Sequence, residues 1–358
     1  MNGIIWINYL IYKQMNPTRD TLFEILSVSS TDAIIKCSDV CEYFNKAAIY
    51  DYLWKHKCYR DIDYQLIKQL YRDSYMDCYM KWYKLSKVKS TLKYKFSVYK
   101  LYNSLVLDLY GNQISEIPKE IDQLHNLQTL YSSFNQISKI PKDIGQLLNL
   151  QTLIISHNQI SEIPKEIVLL QNLITLFLDY NQISEIPQEI CQLRNLAALN
   201  LSNNQISKIP KELGQLQNLH LYTMIYNQIS EIPKEIGQLH NLHTLLLSHN
   251  QISEIPTEIC QLHNLQILDL SWNQISEIPK EIGQLHNLLR LDLPYNQISE
   301  ILKEIGHLQN LQSLDLSDNY ISKIPKEICQ LHNLQELNLS WNQISEIPKE
   351  LKHMNIHY

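Results

Sequence analysis

The chain of 358 residues, with 44% hydrophobic and 19% charged side chains, has an ordinary soluble composition and room for two or three domains, globular or solenoid. Its net charge of −6 is unevenly spread: residues 1–103 carry 16 Lys/Arg against 10 Asp/Glu, and residues 104–358 carry 15 against 27. The acidic second part argues against a phosphate-binding surface there, and the opposite signs fit either two different partners or two solvated faces.

Residues 1–14 form an apolar extension whose GIIWINYLIY core (3–12) is too short to span a membrane. It lacks the basic start and small-residue cleavage site of a signal peptide, so no export route is expected. Met15 opens a sensible domain sequence, MNPTRDTLFEIL, and is an alternative start to Met1.

In residues 15–62 the apolar side chains Leu22, Ile25 and Leu26, then Ile34 and Ile35, then Val40, Cys41 and Phe44 fall at helical spacing in short runs. Two or three small helices follow, with too little core to stand alone. The motifs Glu24-Ile25-Leu26-Ser27, Ile34-Ile35-Lys36, Val40-Cys41 and Leu53-Trp54 make the segment resemble an F-box, the helical motif that docks substrate receptors onto the Skp1 subunit of cullin-type ubiquitin ligases. Pro17 one place early, Ser29, Phe44 and Lys57 depart from that pattern. The resemblance implies Skp1 contacts by Pro17, Leu22, Ile25, Leu26, Ile34, Ile35, Val40, Cys41, Leu53 and Trp54.

Residues 63–103 include YMKWYKLSKVKSTLKYKF, with Lys81, Lys84, Lys87, Lys89, Lys93 and Lys95 and no acid. A nucleic-acid or membrane patch is one reading. The preferred one is a basic helical linker that caps the repeats, because a solenoid end must cover its exposed core.

From residue 104 to 351 an Asn recurs every 23 residues, from Asn112 to Asn342, marking eleven repeats. One copy reads LQILDLSWNQISEIPKEIGQLHN, with apolar Leu265, Leu268, Leu270, Ile275, Ile278, Ile282 and Leu285. Leu268 and Leu270 alternate with polar neighbours as a half-buried strand requires, and Ile278-Pro279 predicts an extended or loosely helical return path. An inward Asn both donates and accepts, so a column of them can satisfy turn backbone from one coil to the next. The pattern resembles the leucine-rich repeat. The fold implied is an α/β solenoid, a horseshoe with parallel strands on the concave face and an irregular or short helical convex side, preceded by a small all-α F-box-like domain. Only a short tail, 352–358, follows.

Cys191, Cys260 and Cys329 stand three repeats apart, where other copies place Gly145, Val168, Gly214 and Gly237. Their separation of roughly 14 Å is too large for disulfides, so small buried thiols in a reducing, intracellular compartment are expected. Ser132, Tyr222, Met224, Leu302 and Pro294 break the consensus and are expected soft points, through drift or through an adapted pocket.

Two columns are expected on the concave face. One, before each ladder Asn, is rich in rings: Phe134, His157, Tyr180, Tyr226, His249, Trp272, Tyr295 and Trp341, interrupted by Asn203 and Asp318. The other runs from apolar Tyr131, Ile154 and Phe177, through Leu246, to acidic Asp269, Asp292 and Asp315. Exposed rings on a rigid surface are interface anchors, so a target protein with an apolar knob and a basic segment is predicted; mutual ring packing is the plainer reading. His125, His240, His263, His286 and His332 are read as surface histidines, not metal ligands. No phosphate-cradling Gly-rich loop occurs, and no catalytic residue, metal or cofactor is assigned.

The near-identical copies and the wealth of Asn, Ile, Lys and Tyr are also similar to repeat proteins of giant amoebal viruses of the mimivirus type, which implies the host cytoplasm. Together the resemblances imply a non-catalytic F-box-type receptor linking a target on the repeats to Skp1. The alternative is a scaffold for a signalling protein such as a small GTPase, with the amino-terminal helices acting only as a cap.

Overall fold

The structure is a computed structural model that describes residues 51–71, 74–346 and 356–357. The candidates Pro17, Leu22, Ile25, Leu26, Ile34, Ile35, Val40 and Cys41 lie outside the described residues, as does the side chain of Leu53. The chain divides into two compact units, meeting in sequence at Ser104 and Leu105.

The described part of the first unit is helical: α1 (Asp51–Asp61), α2 (Tyr64–Leu70), α3 (Tyr75–Thr91) and α4 (Val98–Tyr102). Short polar residues set the starts. Asp63 accepts from Gln65 N at 2.8 Å, and Ser97 Oγ accepts from Lys100 N at 3.2 Å. In α3, Leu85 and Val88 face inward at helical spacing while Lys81, Lys84 and Lys87 stay exposed. Trp54 of α1 is buried, 5.4 Å from the Tyr79 ring of α3, so residues on either side of 62 share one core. Lys57, where the F-box pattern has Leu, is also buried; burial pushes its ammonium below the usual lysine range, with Arg60 adding to the shift.

The second unit is one parallel sheet in sequence order. Strands β1 (Val106–Asp108) to β11 (Glu336–Asn338) have three residues each, and each pairs with the next in a 23-residue register such as Leu268↔Leu291. A short β12 (Ile356–His357) pairs with β11. The return path of each of the first ten coils is a 3-10 turn, such as Lys280–Gln284, entered through an extended Pro279 with φ −64° and ψ 141°. Leu302 takes nearly the same angles, φ −72° and ψ 149°, so the missing proline costs the turn no geometry.

Each coil buries one side. In the eighth, Leu265, Leu268, Leu270, Ile275, Ile282 and Leu285 are at most 1% exposed. Such burial contributes about 1.5–3 kcal/mol per side chain, but only once the neighbouring coils supply the other wall. The ladder Asn ties the coils together. Asn273 Oδ1 accepts from Ile252 N of the preceding coil at 2.9 Å, and Nδ2 donates to Leu247 O of that coil and to Leu270 O and Ser271 O of its own. A second Asn column, from Asn149 to Asn333, adds one further bond to the preceding coil, as Asn264 Nδ2 donates to His240 O at 2.8 Å.

Cys191 and Cys260 are fully buried, and no described cysteine forms a disulfide. Burial, with nearby glutamates, pushes both thiols up to about 12, which keeps them unreactive at neutral pH. At the same place in another coil, a Cβ on Gly237 would stand 2.5 Å from Glu258 O. Pro294 is not the soft point expected. The equivalent N–H groups of Ser271 and Ser317 serve only the carboxylates two residues earlier, Asp269 and Asp315, so proline removes no ladder bond.

Candidate functional site

Residues one and three of each strand share the outer face, and residue two enters the core. The third-position column is a graded surface. Tyr131 is exposed, and Ile154, Phe177 and Leu246 are half-buried. The first-position column, which sequence reasoning missed, contributes Thr129, Thr152, Thr175 and Thr244 beside them, with exposed Arg290 and Glu336 towards the end.

The three aspartates are not alike. Asp269 and Asp315 are half-buried, each with Oδ1 accepting from the N and Oγ of the serine two residues on. Asp292 is only 8% exposed, and Arg290 Nε donates to its Oδ2 at 2.6 Å. Its burial pushes the carboxyl above the usual range, with Asp269 and Asp315 adding and Arg290 opposing. The expected exposed trio is therefore corrected: Asp292 is tied to a neighbour, and two carboxylates remain at the surface.

The ring column is also placed differently from expectation. Its members lie not on the strands but three residues beyond them, at a turn with positive φ: 57° at Phe134, 52° at His157, 54° at Trp272 and 56° at Trp341. Bulky side chains pay for this left-handed conformation, which Gly, Asn and Asp adopt more readily. Those three types occupy the column at Gly111, Asn203 and Asp318. Rings hold the other eight places.

Because every backbone turns the same way, the rings align as a ridge along one border of the strand face. Phe134, His157 and Tyr180 stack at 4.0 Å centroid spacing within 15° of parallel, and Tyr110 extends the run past Gly111. A second run joins Tyr226, His249, Trp272 and Tyr295 at 3.8 to 5.0 Å. The rings pack on one another and yet stay accessible: Tyr180 is 49%, Trp272 47% and Trp341 81% exposed. Burial between neighbours lowers the His249 imidazole below its ordinary value, with Asp269 opposing.

The histidines His125, His240, His263, His286 and His332 are exposed, and no group of three metal-binding side chains occurs among the described residues. Depressions beside the 3-10 turns, one of 720 Å³ around Lys208, Pro233 and Glu258, mix both charges without a convergent chemical group. No helix among the described residues is long and apolar enough to cross a membrane.

A family model described as a leucine-rich repeat region matches residues 142–225, 235–296 and 280–356, from the second repeat of the array into the tail. A leucine-rich-repeat protein of Leptospira interrogans is 36% identical, with a TM-score of 0.60 over 69% of this chain and 76% of that one. The plant peptide hormone receptor RGFR1, solved with RGF2, is 37% identical with a TM-score of 0.65, covering 70% of this chain and 42% of the receptor. The Arabidopsis receptor kinase HAESA, solved with the peptide hormone IDA and the co-receptor SERK1, is 32% identical with a TM-score of 0.61, over 66% and 42%. This chain thus spans less than half the length of either plant receptor. No curated protein matches it in sequence.

Proposed function

Because this chain belongs to the leucine-rich-repeat family, whose folds are generally non-catalytic scaffolds for protein interaction, we propose that its array holds a protein ligand along the strand face and the ring ridge. The observation that carries this reading is the ridge. Eight rings occupy a left-handed position that costs each about 1 kcal/mol or more, and they stay solvent-accessible. Stacking offsets part of that strain, at about 0.5–1.5 kcal/mol per pair, but does not cover the rings. The coil-to-coil Asn bonds fix their spacing, and a pre-ordered aromatic surface loses little entropy on binding. The peptide hormones bound to two structural neighbours support a peptide segment as ligand.

A photo-crosslinker at position 177, on the strand face, and another at 280, at a 3-10 turn, test this in a eukaryotic lysate. Adducts specific to 177 are expected. The same adducts from both positions would remove the strand face as the binding surface.

The finer reading concerns the amino-terminal segment. Its F-box resemblance makes a Skp1-type adaptor the second partner and the array the target receptor of a cullin-type ligase. Support comes from the paired motifs Val40-Cys41 and Leu53-Trp54. Since Trp54 lies inside the helical unit, its role in this reading is to shape the unit, and Ile25, Ile34 and Val40 carry the contact. Calorimetric titration of purified Skp1 into the full chain is expected to show micromolar affinity. No binding would end the adaptor reading and leave the scaffold.

A further inference from the structure

Building on the scaffold reading, we propose that the gap in the ring ridge at Asp318 is a slot for the guanidinium of an arginine on the bound protein. Tyr295, Asp318 and Trp341 occupy the same place in three successive coils with φ of 54°, 52° and 56°, so their side chains leave the backbone in the same direction. The backbone ladder runs unbroken through the gap. Asn296 N donates to Asp318 O at 3.3 Å, and Asp318 N donates to Ser340 O at 2.9 Å. The two flanking rings are therefore two coil steps apart, about 10 Å by strand spacing.

Filled places in the ridge hold rings 3.8 to 5.0 Å apart. The empty place consequently has room for one planar group between the positions of Tyr295 and Trp341. Tyr295 is 43% and Trp341 81% exposed, and no ring stacks between them. Asp318 floors the gap, and its carboxylate makes no hydrogen bond or ion pair with any other described residue. Asp315, three residues earlier on the adjoining strand, adds a second negative charge.

This combination selects among planar and cationic groups. A guanidinium is flat, stacks on aromatic faces and gives two parallel N–H donors to a carboxylate, whereas an ammonium is a compact, strongly hydrated point charge that cannot fill a flat slot. A neutral ring could stack but would leave the carboxylate uncompensated. The chain carries its own comparison: Asn203, between Tyr180 and Tyr226, interrupts the ridge with an uncharged floor and the same backbone turn, φ 54°.

The test titrates capped Gly-Arg-Gly and Gly-Lys-Gly peptides into the full chain, followed through the ring resonances of Tyr295 and Trp341. The arginine peptide is expected to bind tighter than the lysine peptide by about tenfold or more, and to lose about that factor in Asp318→Asn. Asn203→Asp is expected to create a second arginine site of similar strength. Equal binding of the two peptides, no arginine binding at millimolar concentration, or unchanged binding in Asp318→Asn would each overturn the slot. Adducts specific to position 177 alongside any of these results would leave the scaffold reading standing, so the two failures are distinguishable.

Discussion

Asp292 carries the same letter as Asp269 and Asp315, one coil to either side, yet burial raises its carboxyl pKa despite the bond from Arg290. The folded chain thus holds this proton more tightly than the unfolded chain does. Its stabilising contribution is complete below the unfolded value, near 4, and is lost as pH rises through the higher folded value. Asp292→Asn should therefore raise the melting temperature at neutral pH, with the gain vanishing below about pH 4. Melting curves across that range check it, and a variant less stable at neutral pH would mean that Arg290 outweighs burial. Ser132 poses the opposite case. It stands fully buried in a column otherwise filled by residues such as Leu109, Ile155 and Leu178, and its hydroxyl has no hydrogen-bond partner. Ser132→Leu should stabilise the protein by about 1–3 kcal/mol, by filling the space and removing an orphaned polar group. Chemical denaturation measures this; a loss instead would show that the neighbours have closed around the serine. Ser132 was legible as a soft point from its departure from the core column, whereas the burial of Asp292 was not read from the letters. The signal for Asp292 was available in Arg290 two residues before it, because both residues face the same side of one strand.

Within a coil, the ladder Asn and the ridge residue are adjacent in sequence but differ in what substitution does. Asn227 accepts from Ile206 N and donates to Leu201 O, Met224 O and Ile225 O. Asn227→Ala leaves these groups unpaired at about 1–3 kcal/mol for each one buried, whereas Lys280→Ala, which removes an exposed 3.9 Å contact with Glu281, should stay within about 0.5 kcal/mol. Equal melting shifts would show that the ladder does not hold the coils. At the ridge, Trp272→Asn relieves left-handed strain of about 1–2 kcal/mol while giving up two stacking contacts of about 0.5–1.5 kcal/mol each, so the effects largely offset and its stability should change little. Trp272→Val loses the stacking and adds a β-branched side chain at positive φ, and should be clearly less stable by thermal melting. The strand, the Asn ladder and the proline-led return path were legible because each follows from a periodicity or from a backbone constraint of its own residues. The left-handed turn was not, because rings are poor indicators of positive φ. Gly111, Asn203 and Asp318 in the same column were the available sign. The second Asn column has the same 23-residue period as the ladder, as at Asn264 and Asn287, and was equally legible.

In the array as a whole, each coil pairs only with its immediate neighbours, so stability should accumulate along the sheet. Amide exchange is expected to be slowest in central coils around β5 to β8 and faster towards β1 and β11; one uniform rate would mean that the sheet opens as a single block. The invariant 23-residue register has a genetic counterpart. An in-frame deletion or duplication of one copy would bring a strand such as β9 against a neighbour with the same core letters and the same Asn, and the sheet would close again. Recombination between copies can thus change the number of coils without redesigning the interior. What a copy gained or lost between Asn203 and Asp318 does change is the distance between these two interruptions, by one strand spacing, about 4.8 Å. Inherited variation in copy number would then act as a length adjustment on whatever spans both places, leaving the chemistry at each one intact.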